Sequence, residues 1–85
     1  MSKYGKLLQR ILSGAADGNI EFEDLRNLLL RLKFEERVRG SHHIYSRECV
    51  DEIINIQPLG AKAKRYQVKQ IREVILKYRM GEADV

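Results

Sequence analysis

The sequence holds one cysteine, one proline, two histidines and no long apolar run, and each scarcity removes a class of protein. With Cys49 alone no internal disulfide can form, so the chain suits a reducing compartment, and this thiol reads as a small, partly buried residue. No apolar stretch approaches the roughly 20 residues that a membrane helix needs. The N-terminus lacks the apolar block of a signal peptide, so a cytoplasmic location without a membrane partner is expected. At 85 residues the chain can bury only about 60–65% of the surface its unfolded form exposes, which allows one thin core and a single domain over residues 1–85.

What is present is charge. Charged residues make up 33% of the chain and apolar ones 44%, the balance of a soluble globular protein. Sixteen Lys and Arg against twelve Asp and Glu leave a net +4. The excess is concentrated in residues 60–80, where Lys62, Lys64, Arg65, Lys69, Arg72, Lys77 and Arg79 face Glu73 alone. A positive field of this kind favours an anionic partner such as nucleic acid.

Apolar residues at Tyr4, Leu7, Leu8, Ile11 and Leu12 have the spacing of one helical face and predict a helix over 3–13. Two glycines in the Ser13–Asn19 stretch end it. A second helix opens at Asn19 or Glu21 and places Phe22, Leu25, Leu28, Leu29 and Leu32 on one side. From Phe34 the period becomes two, which predicts a first strand. Gly40-Ser41 is then a tight turn, and 42–47 a second strand. A turn over 48–51, a third strand over 52–57 ended by Pro58, a loop over 59–64, a closing helix with Val68, Ile71, Val74, Ile75 and Tyr78 as its stripe, and a frayed tail from Met80 complete the chain. The order implies an α+β layer, with helices on one face of a three-stranded antiparallel sheet.

Both histidines fall in Gly40-Ser41-His42-His43-Ile44-Tyr45. An imidazole is the one side chain that ordinarily exchanges protons near neutrality, so general acid–base chemistry is sought here first. Alternation puts His42 with Ile44 on one face of the strand and His43 with Tyr45 on the other. The pattern does not choose which face meets the core. Adjacent histidines that point apart, with no further spaced ligands, do not make a tetrahedral metal set, so no metal or other cofactor is expected. Gly60-Ala61-Lys62-Ala63-Lys64-Arg65 precedes a helix, whose free N–H groups and positive end can hold phosphate; the competing reading is a solvated basic face. Arg37, Arg39 and Arg47 extend the same field toward the histidines, and Tyr45 and Tyr66 are candidate base-stacking residues, with core packing preferred for Tyr45.

Leu32-Lys33-Phe34, a charged strand, the Gly40–Tyr45 string, a further strand, and a Gly/Lys-containing loop before a closing helix together resemble the HicA family of mRNA interferase toxins, over about residues 22–78. The resemblance implies a double-stranded-RNA-binding-domain-like fold, α-β-β-β-α, with the helix over 3–13 added in front. It implies a metal-independent endoribonuclease acting on mRNA in a type II toxin–antitoxin system, with His42 as the catalytic histidine and His43 in reserve, inhibited by a HicB-like antitoxin. Gly40, Ser41, Arg47, Lys62, Lys64 and Arg65 are then the expected RNA-binding residues. The third strand departs from the family pattern, ending in Ile56-Gln57-Pro58 without the basic, histidine-containing tail of many relatives. The alternative is a non-catalytic RNA-binding or protein-interaction module of the same fold.

Overall fold

The computed structural model describes residues 2–85. Helix α1 (Lys3–Ser13) begins where the Ser2 side chain accepts the Gly5 N–H at 3.0 Å, and stops at Gly14, whose φ of +71° is left-handed. Helix α2 (Phe22–Arg31) takes Glu21 at its N-cap position and carries Glu23 and Asp24 in its first turn, where acidic groups meet the positive end of the helix. Lys33 ends it at φ +71°: the Lys33 N–H reaches the Leu30 carbonyl and the Phe34 N–H the Leu29 carbonyl, a Schellman pair.

Strands β1 (Glu35–Arg39), β2 (His42–Arg47) and β3 (Val50–Ile56) form one antiparallel sheet in the order β1-β2-β3. The β1–β2 turn is Gly40-Ser41, with Gly40 at φ +60°. The β2–β3 turn is shorter than the expected 48–51, because Cys49 adopts φ +68° and pairing resumes at Val50 opposite Arg47. An irregularity between that pair and Tyr45↔Ile54 absorbs the extra residues of β3. Cys49 is exposed at this turn, not partly buried as the sequence implied.

The expected loop over 59–64 is instead a small hairpin, β4 (Pro58–Leu59) and β5 (Lys62–Ala63), turning at Gly60 with φ +61°. Two-residue strands are too short to show a period, and Pro58 opens β4 at a position that needs no ladder N–H. The hairpin is tied to α2 through Phe22 N–H to the Ala61 carbonyl and Ala63 N–H to the Ile20 carbonyl, both 2.9 Å. Helix α3 (Arg65–Lys77) closes the fold and ends, like α2, in a Schellman pair around a left-handed cation, Arg79 at φ +55°. The tail is not frayed: Met80 is buried, Val85 packs on the core, and Glu82–Asp84 forms a 3-10 turn.

One core joins the three helices to one face of the sheet. Leu7, Leu8 and Ile11 of α1 meet Leu25, Leu28 and Leu29 of α2, Val68, Ile71 and Ile75 of α3, and Tyr45, Ile54 and Ile56 of the sheet. Helix α1 is thus part of the core rather than an appendage. Arg72 of α3 fastens it, donating to the Ile11 carbonyl at 3.0 Å and pairing bidentately with Asp17 at 2.7 and 3.0 Å. That pairing holds the Asp17 carboxyl below its ordinary range.

Candidate functional site

The face of β2 that meets the helices is that of Tyr45, which is fully buried, so His43 lies beneath the sheet and His42 on its open side. His43 packs edge-on against Phe22, ring centroids 4.9 Å apart, with Nδ1 3.3 Å from the Glu36 carboxylate. Glu36 is the hub of a half-hidden polar cluster. It accepts from Arg26 Nε at 2.6 Å and Nη2 at 2.9 Å and from the Tyr45 hydroxyl. The Arg26 guanidinium brings the Glu36 carboxyl down to about 2 against the opposing effect of burial, while burial, and then Glu36, push the Tyr45 hydroxyl up. These bonds satisfy a tyrosine and a carboxylate under the sheet and fix which face of β2 turns inward.

His42 has different surroundings. In the two-residue hairpin it stands directly opposite Arg39, while Arg37 stands opposite Ile44. Neither arginine has a carboxylate partner among the described residues. Nδ1 of His42 lies 3.2 Å from Asn55 Oδ1 on β3, and Nε2 lies 3.3 Å from the side-chain amide nitrogen of Gln57. That amide also donates to Ser41 Oγ at 3.1 Å, and Gln57 Oε1 accepts from Lys64 Nζ at 3.2 Å. The donor and acceptor pattern assigns the imidazole proton to Nδ1, leaving the Nε2 lone pair on the side that Gln57 covers.

Gln57 is itself held in place. Its backbone N–H donates at 3.2 Å to Oε1 of Gln67, the one polar residue that is fully buried among those described, at 2% exposure. A depression of about 250 Å³ opens beside His42, lined by Ile53, Asn55, Gln57, Tyr66, Gln67 and Gln70. No carboxylate lines it.

Of the residues expected to contact RNA, the fold brings Gly40, Ser41, His42 and Lys64 together. The others lie apart. Lys62 pairs with Glu21, and the Arg65 guanidinium packs over Gly18, where an added Cβ would meet it at 2.6 Å. Arg47 ends β2 at the opposite side of the sheet, in a depression shared with Lys33, Glu35, Ser46 and Glu48. In the Gly60 loop the Ala61 carbonyl and the Ala63 N–H are bonded to the segment leading into α2. Nothing in the sequence marks Asn55, Gln57, Gln67 or Gln70 as site residues, since uncharged amides spaced along a strand and a helix leave no pattern. Arg39 was legible, because a two-residue turn at 40–41 makes 39 and 42 partners. No group of three metal-ligating side chains occurs among the described residues. No family model, curated protein or solved structure matches the chain.

Proposed function

We propose that this protein is an mRNA interferase of the HicA kind, a metal-independent endoribonuclease held in check by a HicB-like antitoxin in the cytoplasm. On this reading the core from α2 to α3 is double-stranded-RNA-binding-domain-like, with α1 built onto it. The single observation that supports it is an exposed imidazole whose Nε2 faces the Gln57 amide nitrogen, opposite Arg39, which has no carboxylate partner among the described residues, and one amide away from Lys64.

The chemistry follows from that arrangement. As RNA enters, its 2′-hydroxyl displaces the Gln57 amide from Nε2, and His42 takes the hydroxyl proton. The 2′-oxygen attacks the adjacent phosphorus, the 5′-oxygen leaves and takes up a proton from water, and a 2′,3′-cyclic phosphate remains. Asn55 keeps the Nδ1–H in place while Nε2 works. Arg39 and Lys64 neutralise charge growing on the phosphoryl oxygens. General-base assistance of this kind contributes on the order of 100- to 10,000-fold.

The test is cleavage of mRNA in chelator by the parent, His42→Ala and His43→Ala. We expect His42→Ala to lose cleavage and His43→Ala to retain it at temperatures where it is folded. Undiminished cutting by His42→Ala would sink the mechanism. The rival, an RNA-binding module without catalysis, has one observation in its favour: the amide already seated on Nε2. Induced expression separates the two, because a toxin arrests growth and a module does not.

A further inference from the structure

The depression beside His42 is walled by side-chain amides, and its hydrogen-bonding capacity is only partly used. Gln67 uses both ends of its amide, Oε1 accepting from the Gln57 N–H and Nε2 donating to the Tyr66 hydroxyl at 3.5 Å. Asn55 uses its oxygen for His42, and its NH2 has no partner among the described residues. Gln70 lines the depression and makes no side-chain hydrogen bond among the described residues, so its amide donor and acceptor are unused. It lies four residues after Tyr66 on α3, hence on the same helix face. Tyr66 is 64% exposed and Ile53 61%, so both leave apolar surface open at the depression.

An occupant that uses all of these has a flat apolar face for Tyr66 and Ile53 and an edge of paired donors and acceptors for Gln70 and Asn55. It is not an anion, because within the depression there is no cation to meet one; the cations, Arg39 and Lys64, stand beside it near His42. We infer that the depression is a nucleobase subsite: the nucleotide next to the bond attacked at His42 places its base on the Tyr66 ring, with the base edge against Gln70 and Asn55. The inference rests on the ribonuclease reading and adds to it a substrate class. A base can enter only when it is unstacked and unpaired, so single strands and loops are substrates and duplexes are not.

The test uses the parent chain and short 2′-O-methyl RNA strands, whose blocked 2′-oxygen prevents cutting, with affinity read by fluorescence anisotropy at fixed salt. A strand with bases should bind roughly tenfold or more tightly than an abasic strand of equal length, the scale of one base stacked on an aromatic ring. Tyr66→Leu, which keeps bulk but removes the π face, should bring that gap to within about twofold. Gln70→Leu should change the ranking of A, C, G and U strands. Both positions are on the surface, and circular dichroism and melting should match the parent. Equal binding of abasic and base-bearing strands, including the case where this face docks a protein instead, overturns the inference, as does a gap that survives Tyr66→Leu. Ordinary RNA cut in a His42-dependent way without base-dependent binding would leave the ribonuclease reading standing and the subsite refuted. Base-dependent binding through Tyr66 without any cleavage would do the reverse.

Discussion

Lys33 and Arg79 occupy the left-handed positions that end α2 and α3, where an L side chain costs roughly 1–2 kcal/mol relative to glycine's freedom. Lys33→Gly is therefore expected to raise stability by about 1 kcal/mol, read as a higher urea midpoint at unchanged slope. At Asn55, replacement by Leu removes the acceptor for the His42 Nδ1–H. Nitrogen-15 spectra of the imidazole should then show a mixture of tautomers, and kcat should fall about tenfold, with KM rising as well because the same side chain faces the proposed base subsite. Glu36 gives a pH dependence whose sign is fixed. Its carboxyl titrates near 2 in the folded chain against 4.5 unfolded, so between those values the unfolded chain takes a proton that the folded one refuses. Stability present above about pH 4.5 drains away as the pH falls toward 2. The melting temperature should decline over that window, and Glu36→Gln should flatten the decline while lowering stability at neutral pH, because Arg26 and Tyr45 lose their charged partner. That His42 and His43 point apart was legible from alternation alone. Which one faces the core was not, because Ile44 and Tyr45 are both apolar, and the choice is made by Glu36 and Arg26 from other elements.

Helices announced themselves because three or four buried side chains recur at helical spacing, and all three lie close to where that spacing puts them. Their C-terminal ends were harder to read, since only α1 stops at a glycine. The β4–β5 hairpin was invisible for the opposite reason: two residues per strand hold no period, and its bonds run to α2, some forty residues earlier in the chain. α1 belongs to the core in a way the family resemblance did not imply. Leu8 is wholly buried, and Leu8→Ala should cost about 2–5 kcal/mol, with the whole protein unfolding in one transition. A separate early melting of α1 would contradict the single core.

At the scale of the molecule, the basic excess matters less by its total than by where it is unpaired. Lys62, Arg72, Lys77 and Arg26 are tied to carboxylates, whereas Arg37, Arg39 and Lys64 have none among the described residues. The sequence shows the sum of charges but not the pairing, which depends on partners up to 55 residues away in the chain. RNA affinity should therefore fall linearly with the logarithm of salt, and Arg39→Ala should reduce that slope by about 0.7, the share of one single-strand phosphate, whereas Lys62→Ala should leave it nearly unchanged. The turn that carries Cys49 lies at the other end of the β2–β3 hairpin from His42, roughly 20 Å away at about 3.3 Å per strand residue. Because this exposed thiol is the only one in the chain, a maleimide dye attaches at one known point, clear of the His42 end of the sheet. The protein thus comes with its own attachment site for single-molecule fluorescence, and the proposed arrival of an RNA strand at His42 can be timed without altering a residue.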